Sequence, residues 1–222
     1  MPVTAIIPTL NEEDWIAGAV ESAFAAGASV VIVADGGSVD RTARFATSAG
    51  ARMLLCEPHR ARQLNLGARA ASQDALIFLH ADSRLPLGAA QAVEAALTRG
   101  ADFGGFRIAF IEPSGRLRFA AALINLRTSL TRCPWGDQAQ FVRRDTFLGL
   151  GGFLDIPLME DYELAVRMKR RGRSVLLPMT VTTSGRRFLR KGLLRTASHN
   201  WRTVIRYRMG ADIAELARSY RK

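Results

Sequence analysis

The first hundred residues alternate short apolar runs with segments of helical pattern, and this alternation limits the fold more than any other feature. The apolar runs lack a helical period and are short, so they predict buried strands at residues 3–7, 30–33, 51–55 and 75–79. A helix is predicted after each run, with Asn11 and Asp40 as caps of the first two, and over residues 61–71 and 86–100. The pattern predicts an α/β fold with a Rossmann-like, mostly parallel sheet and helices on both faces.

The alternation becomes less regular after Gly100. We expect a longer strand over residues 103–111, a helix over 117–130, short strands over 138–142 and 175–177, and a helix over 188–208. No internal repeat, low-complexity tract or clear linker separates these segments. The sequence therefore predicts a single domain over residues 1–222.

Composition restricts the class of protein further. Hydrophobic residues make up 48% of the 222-residue chain, which is enough for a substantial core and argues against disorder. The two cysteines give no disulfide framework, so a reducing, cytoplasmic location is expected. The N-terminus shows no signal-peptide pattern, and no apolar run approaches the roughly 20 residues that span a bilayer.

Polar residues follow the predicted strands directly. Thr9, Asp35 and Asp82 each stand at a strand end, and ligands of open α/β sheets bind outside the carboxyl ends of the strands. We therefore expect these three residues to meet in one crevice. Asp35 precedes Gly36 and Gly37, which permit a tight turn and the close approach of a base or ribose. An ordinary turn between a strand and a helix would explain the same residues.

Asp82 and its neighbours suit a metal ion and a phosphate. Mg²⁺ or Mn²⁺ takes one or two carboxylates plus substrate phosphates, although Asp82 as a simple turn residue is the alternative. His80 is either a ligand or a structural histidine. Arg60 begins a predicted helix, where free backbone N–H groups favour an anionic phosphate and the dipole otherwise disfavours a basic residue.

Glu160 and Asp161 begin another predicted helix, in which Leu164, Ala165 and Met168 share a face. Acids in a first turn are stabilised by the helix dipole, and this alone would explain the pair. The functional interpretation is a general base that takes a proton from an attacking hydroxyl group.

Positive charge is concentrated near the C-terminus. The net charge is +11, and 13 Lys and Arg residues but no acid lie between Glu163 and Asp212. This tract is either a solvated basic face or a surface for phosphates, anionic lipid or nucleic acid. No nucleic-acid partner is expected, because zinc-finger spacings and an aromatic-rich RNA motif are absent.

The predicted helix over residues 188–208 separates its apolar and basic residues. Its apolar side would carry Leu194, Ala197, Trp201, Val204 and Ile205. This arrangement predicts peripheral contact with anionic membrane at the inner face, whereas packing against the core would produce the same stripe.

Taken in order, the motifs resemble the family-2 glycosyltransferases of the GT-A fold over about the first 185 residues. Residues 8–12 are similar to the family's Pro-x-x-Asn-Glu turn, and residues 35–42 to its nucleotide-binding Asp-Gly-Ser-x-Asp-x-Thr segment. Arg60, Asn65 and Gly67 resemble its basic-x-x-x-x-Asn-x-Gly stretch. Its late Gly-Gly-Phe and Glu-Asp pair are similar to residues 151–153 and 160–161. Residues 80–82, 136–138, 157–161 and 182–184 also resemble a bacterial subset labelled for arsenosugar biosynthesis.

The resemblance implies a nucleotide-sugar donor, a hydroxyl acceptor, a divalent cation (Mg or Mn) and inversion at the anomeric carbon. Asp161 would be the catalytic base with Glu160 beside it, and Asp82 would be the metal ligand of an Asp-x-Asp motif whose first position is His80. The acceptor side would hold Gly136, Asp137 and Gln138. The donor would bind at Pro8, Thr9, Asn11, Glu12, Asp35, Gly37, Arg60, Asn65, His80, Ala81 and Asp82.

The same resemblance divides the single domain into functional parts. Residues of about 1–100 would form the nucleotide-binding half, about 101–187 the acceptor half, and about 188–222 basic amphipathic C-terminal helices. The Gln-x-x-Arg-Trp motif of processive synthases is absent, which argues against a polymer-extruding enzyme.

Two other classes stay open. Nucleotidyltransferases acting on a sugar phosphate also use doubly wound sheets and metals, but they typically carry Gly-x-Gly-Thr-Arg after the first strand, where residues 8–11 have no glycine. A basic module that binds membranes or nucleic acid without catalysis is the third class. The ordered acids argue against it.

Overall fold

The computed structural model describes residues 1–221, with the side chains of all of these except residues 193, 194 and 221. The strands are β1 (Val3–Thr9), β2 (Val30–Asp35), β3 (Arg52–Leu55), β4 (Ala75–Phe78), β5 (Ser83–Arg84), β6 (Phe103–Phe110), β7 (Phe141–Arg143) and β8 (Ser174–Thr183). The helices are α1 (Ile16–Ala25), α2 (Thr42–Ser48), α3 (Arg60–Ala70), α4 (Ala89–Thr98), α5 (Gly115–Thr131), α6 (Arg144–Gly149), α7 (Glu160–Arg171), α8 (Arg186–Lys191), α9 (Leu193–Arg208) and α10 (Ile213–Arg221). A short 3₁₀ turn, Gly136–Gln138, stands between α5 and β7.

The strands form one eight-stranded sheet in the order β3-β2-β1-β4-β7-β6-β8-β5. Four neighbouring pairs are parallel and three are antiparallel. The α/β fold with a sheet flanked by helices, predicted from the alternation, is confirmed. The antiparallel strand β7 lies between the two parallel groups, which corresponds to the point where the sequence pattern becomes irregular.

Hydrophobic side chains cover both faces of the sheet. Successive residues of a strand point to opposite faces, so Ile6 and Ile7 in β1 belong to separate clusters. Ile7 packs in the cluster that contains Val20 of α1 and Val93 of α4. Ile6 packs in the cluster that contains Leu64 of α3 and Leu164 of α7. Burial on both faces explains why these strands read as continuous apolar runs.

Asn11 does not cap α1, contrary to the prediction. The helix begins at Ile16, and Trp15 takes the cap position without a side-chain hydrogen bond. Asn11 has a φ of 54°, and its Oδ1 accepts a hydrogen bond of 3.0 Å from the Val39 N–H. The side chain therefore ties two loops together instead of ending a helix. Asp40 does not take the cap position of α2 either, because Arg41 stands there; the Asp40 Oδ1 nevertheless accepts the N–H of Thr42, the first helical residue, at 2.9 Å.

Two predicted boundaries also change. Strand β7 begins at Phe141 rather than at residue 138, because Gln138 belongs to the 3₁₀ turn. Helix α4 begins at Ala89, after Gly88 at a φ of 76°, rather than at Pro86. In both cases a backbone turn occupies residues that the sequence pattern assigned to the regular element.

The predicted helix over residues 188–208 is interrupted. Gly192, at a φ of 81°, separates α8 from α9. On α9 the core takes Val204, which is 5% exposed, whereas Trp201 and Ile205 are each 52% exposed. Leu194, predicted on the same side, lies outside the described side chains. Across residues 1–221, every helix is either too short or too polar to cross a bilayer.

Candidate active site

The ends of β1 and β2 lie side by side, with Thr9 paired in register with Asp35. The buried side chain of Gln63 joins these ends, since its Nε2 donates to the carbonyl oxygens of Thr9 and Ala34, each at 2.8 Å. Two of the three predicted crevice residues are therefore direct neighbours. Gln63 was not predicted as a site residue. The sequence feature that could have identified Gln63 is its position, as a polar residue, on the face of α3 that otherwise buries Ala61, Leu64 and Ala68.

Asp35 closes the turn that follows β2. Its Oδ1 accepts the Ser38 hydroxyl at 2.5 Å, and its Oδ2 accepts the Ser38 N–H at 3.1 Å. Gly37 has a φ of 88°, and a Cβ atom at this position would meet no atom within 4 Å. The backbone here is thus held in a conformation that favours glycine, beside open space.

Arg186 connects the end of β1 to the segment after β4. Its Nη2 lies 2.6 Å from Glu12 Oε1 and 3.3 Å from Asp82 Oδ2. The guanidinium group of Arg186 therefore links Asp82 to Glu12, which follows the end of β1. Arg186 was not predicted, because only the tertiary structure brings the start of α8 to the end of β1.

A small cavity lies beside these strand ends. The predicted residues Pro8, Arg60, His80, Gly136 and Asp161 line it. The other lining residues are Leu64, Phe78, Leu79, Gln140 and Phe153.

Asp161 is held at this cavity by main-chain donors. The Gly136 N–H donates to Asp161 Oδ2 at 2.6 Å, and the Tyr162 N–H donates to Oδ1 at 2.7 Å. Gln140 Nε2 donates to the Asp161 carbonyl oxygen at 2.8 Å. Helix α7 begins at Glu160, after Met159 at a φ of 69°. Both carboxylate oxygens therefore have fixed directions at the wall of the cavity.

Glu160 has a different environment from its neighbour. It is 5% exposed, and Arg60 Nε lies 3.0 Å from its Oε1. Burial raises the pKa of Glu160, and the charge of Arg60 opposes this effect. The two adjacent acids therefore have different surroundings: Glu160 pairs with Arg60, whereas Asp161 faces the cavity.

His80 contacts the other side of the Arg60 guanidinium group, through Nε2. Desolvation lowers the pKa of His80 well below its usual value, and the charges of Arg60 and Arg186 lower it further. The imidazole is therefore neutral at pH 7. An uncharged ring therefore stands next to the guanidinium group of Arg60.

Gly136 is the point at which these groups converge. A Cβ atom at residue 136 would lie 2.9 Å from Arg60 Nη2, 2.9 Å from Asp161 Oδ2 and 3.0 Å from His80 Nε2. The absence of a side chain therefore lets the loop donate its N–H to the carboxylate from close range.

The other predicted acceptor-side residues differ from one another. Gln138 is fully buried, and its Oε1 accepts hydrogen bonds from Thr128 at 2.7 Å and Arg127 at 2.9 Å. It fixes the loop and does not line the cavity. Burial raises the pKa of Asp137, against the opposing charge of Arg127, and Asp137 Oδ1 has no hydrogen-bond partner. The Arg127 guanidinium stacks 3.6 Å from the centre of the Trp135 ring.

Two predicted donor-site residues have internal partners. Asn65 accepts the Phe153 N–H at 2.9 Å and donates to the Phe153 carbonyl oxygen at 2.8 Å, so it holds the loop that contains Gly151 and Gly152. Ala81 is 5% exposed and packs in the core. These residues support the site without facing the cavity.

The region around Asp82 fits a divalent cation when phosphate oxygens complete the ligand set. Among the described residues, no three His, Cys, Asp or Glu side chains gather into a ready-made metal site. Glu12 and Asp82, however, both approach the Nη2 atom of Arg186, and Glu12 Oε2 is buried without a hydrogen-bond partner. One or two carboxylates plus substrate phosphates are the ligands that Mg²⁺ takes.

Comparison with known proteins assigns the family. The sequence profile described as Glycosyl transferase family 2 matches residues 4–196. The chain belongs to glycosyl transferase family 2. This membership favours glycosyl transfer over nucleotidyl transfer and over a purely binding role. None of the curated proteins matches the chain significantly.

Solved structures support the GT-A fold of this family-2 domain. TarS of S. aureus superposes with a TM-score of 0.67 at 15% identity, over 83% of this chain and 37% of TarS. Residues 1–349 of TarS with UDP-GlcNAc give a TM-score of 0.63 at 14% identity, over 83% of this chain and 56% of that chain. Glucosyl-3-phosphoglycerate synthase from Mycobacterium tuberculosis, in complex with Mn²⁺ and UDP-glucose, gives 0.59 at 19% identity, over 82% and 70%.

The chain spans 37% of the length of TarS, 60% of the length of its residues 1–349 and 65% of the length of a mycobacterial protein. At identities below 20% the likeness concerns the fold. Substrates and partners must therefore be argued from the site itself.

Proposed function

We propose that this family-2 domain transfers a sugar from a nucleoside-diphosphate sugar to a hydroxyl group of an acceptor, with inversion at the anomeric carbon. The observation that carries the proposal is the Asp161 carboxylate, fixed by the N–H groups of Gly136 and Tyr162 at the wall of the cavity. A base must be within hydrogen-bond reach of the proton it takes, and its orientation must be fixed in advance.

Asp161 would take the proton of the acceptor hydroxyl as its oxygen forms a bond to the anomeric carbon. The bond from that carbon to the phosphate oxygen breaks in the same step, and the nucleoside diphosphate leaves with the electron pair. A single displacement inverts the configuration. Glu160 is engaged by Arg60, so it would position Arg60 and not act as a second base.

The donor would lie along the strand ends. Asp35 and Gly37 would meet the base and ribose, since Gly37 leaves open space beside Asp35. Arg60 and neutral His80 would meet the diphosphate or the sugar, because both line the cavity with Asp161. A uridine nucleotide is the first donor to test, because two of the similar structures contain UDP-sugars.

Asp82 would hold a divalent cation together with the diphosphate, with Glu12 close by. Such an ion supplies neutralisation of the charge that develops on the leaving group. The guanidinium group of Arg186 would have to leave Asp82, and it would then be available to the phosphate oxygens. The Mn²⁺ in the M. tuberculosis synthase is consistent with this cation.

Asp137 would face the acceptor beside Asp161. Its unpartnered oxygen and its raised pKa distinguish it from Gln138, whose amide is used within the protein. The motifs around residues 80–82 and 136–138 lead us to place the chain in the subset labelled for arsenosugar biosynthesis. The two cysteines without a disulfide framework lead us to place it in the cytoplasm. Both assignments are part of the proposal.

The first experiment combines a donor panel with the base variant. Uridine, guanosine and thymidine diphosphate sugars are incubated with Mn²⁺ and candidate hydroxyl acceptors, and the released nucleotide is measured. We expect release of nucleoside diphosphate, and Asp161→Asn should lower kcat by about 10²–10⁴-fold while donor affinity is kept. Release of pyrophosphate, or full activity of Asp161→Asn with normal donor binding, would contradict the proposal.

The second experiment tests the cation. Titration calorimetry of Mn²⁺ in the presence of UDP should give weaker binding for Asp82→Ala than for the unchanged protein, by about tenfold or more. Gly149→Ala is the control, because a Cβ atom there would meet nothing within 4 Å. Equal Mn²⁺ affinity of Asp82→Ala and the unchanged protein would remove Asp82 from the metal site.

A further inference from the structure

Helix α5 exposes an apolar stripe along its length. Phe119, Leu123, Leu126 and Leu130 are 60%, 50%, 56% and 76% exposed. Their spacing of four, three and four residues places them on one side of the helix. The opposite side packs against the protein through buried residues, which are Leu117, Ala120, Ala121 and Thr128. Four large apolar side chains in one row differ from the scattered exposed residues of an ordinary surface.

Helix α9 carries a second exposed apolar row and contacts α5. Trp201 and Ile205 are each 52% exposed, and Met209, directly after the helix, is 80% exposed. These residues follow one another at intervals of four. The sequence left open whether the core would cover this stripe, and the core buries Val204 while Trp201 and Ile205 stay exposed.

Both rows lie among positive charges. The exposed side chains beside the apolar row include Arg116 and Arg118 on α5, and Arg195 and Arg202 on α9. Neither helix contains an acidic residue. The two helices thus combine large apolar side chains with charge of one sign.

We propose that the exposed faces of α5 and α9 form a docking surface for an anionic lipid bilayer. Helix α9 has the segregated apolar and basic faces of helices that lie in the plane of the membrane, with apolar side chains at the boundary between headgroups and acyl chains, and the exposed row of α5 adds apolar area on a helix in contact with α9. Each basic residue near an anionic surface adds to the attraction. Charge complementarity therefore selects an anionic surface over a neutral one.

Other occupants fit the surface less well. A second copy of the chain would bring arginines against arginines without acids to pair them. Nucleic acid would be attracted by the arginines, but it would leave the row from Phe119 to Leu130 exposed to water. These two occupants are outcomes of the test below.

Docking would bring the acceptor side of the site close to the bilayer. On the inner side of α5, Arg127 and Thr128 hydrogen-bond Gln138, and the same loop donates the Gly136 N–H to Asp161. An acceptor hydroxyl at the membrane surface would then be near the proposed base. This consequence rests on the proposed function, whereas docking itself does not.

The test is flotation of the full chain with vesicles of neutral lipid and with vesicles that contain about 30 mol% anionic lipid. We expect binding to the anionic vesicles alone. The double variant Leu123→Ser/Leu126→Ser should weaken it by about tenfold or more. Leu55→Ser/Leu87→Ser is the matched control, because both leucines are 76% exposed elsewhere. Thermal unfolding checks that each variant is folded.

A second readout locates the contact on α9. Brominated acyl chains should quench part of the tryptophan fluorescence, and Trp201→Phe should remove that quenching while Trp15 and Trp135 remain. Equal flotation with neutral and anionic vesicles, or unchanged binding of the Leu123/Leu126 variant, would overturn the proposal. It would equally be overturned by a dimer that the Leu123/Leu126 variant converts to monomer, or by DNA binding in place of vesicle binding.

Discussion

Main-chain N–H groups orient the Asp161 carboxylate, close to the side chains of Arg60 and His80. The N–H groups of Gly136 and Tyr162 fix its two oxygens, while the guanidinium of Arg60 is engaged by Glu160. Main-chain donors lose little freedom on forming such bonds, because the loop and the start of α7 already hold them in place. This explains how one of two adjacent acids is directed toward the cavity.

Gly136→Ala tests how tightly this arrangement is packed. Alanine keeps the N–H group, but its Cβ would lie within 3.0 Å of Arg60, Asp161 and His80. These polar atoms would have to move, so we expect kcat to fall by about 10²-fold. Steady-state kinetics with the best donor of the panel gives the measurement. The control is Gly149→Ala, which should keep full activity. A Gly136→Ala variant with unchanged kcat would show that the close contacts are not needed.

Among the elements, the break between α8 and α9 matters most for the site. Arg186 at the start of α8 pairs with Glu12 and Asp82, and Glu112 holds the preceding turn through the Ser184 hydroxyl at 2.8 Å and the Gly185 N–H at 2.6 Å. Although burial raises the pKa of Glu112, these hydrogen bonds lower it overall. Because the chain turns again at Gly192, α8 stays at the strand ends while α9 runs toward α5.

Gly192→Ala distinguishes the broken helix from a continuous one. In a helix interior the change from glycine to alanine stabilises a protein by about 1 kcal/mol. At a φ of 81° alanine is strained, so we expect the free energy of unfolding to fall by about 1 kcal/mol. Urea unfolding of Gly115→Ala, at the first residue of α5, serves as the opposite control and should show a gain. A gain for Gly192→Ala would favour the continuous helix.

At the scale of the whole molecule, the C-terminal helix α9 packs against α7. The rings of Tyr207 on α9 and Tyr162 on α7 meet edge to face at 6.2 Å. The Tyr220 hydroxyl accepts from Arg187 and donates to Asn200 Oδ1 at 3.2 Å. Leu216 of α10 is 2% exposed. The segment predicted as basic amphipathic helices is therefore part of the folded body over the residues that the structure describes.

Leu216→Ala measures this attachment. Removing a buried leucine side chain should lower the free energy of unfolding by about 2–4 kcal/mol. Arg218→Ala on the same helix removes an exposed side chain and should change stability by less than about 0.5 kcal/mol. Denaturant titrations compare the two. Equal stability of both variants would mean that α10 does not contribute to the core.

The fold class and the main chemical groups of the site can be predicted from the sequence. The strands β1, β2 and β4 are buried on both faces, so each is a short, continuous apolar run. Such a run can be recognised in the sequence without knowing which elements pack against it. Arg60, His80 and Asp161 were also identified from local motifs, and the structure brings them to one cavity. The prediction that Asn11 caps α1 is wrong, because an asparagine side chain can serve equally as a helix cap or as a link between two loops.

Which of these groups face the cavity and which face each other depends on the tertiary structure. Glu160 pairs with an arginine 100 positions earlier in the chain, and Arg186 pairs with Glu12, 174 positions away. The tertiary structure also decided that the core buries Val204 and leaves Trp201 exposed. A local sequence pattern shows only the periodicity of one helix or strand. The exposure of a side chain and its pairing partner depend on how elements distant in the sequence pack together. For that reason the sequence predicts which residues belong to the site, and the packing determines which of them are in contact.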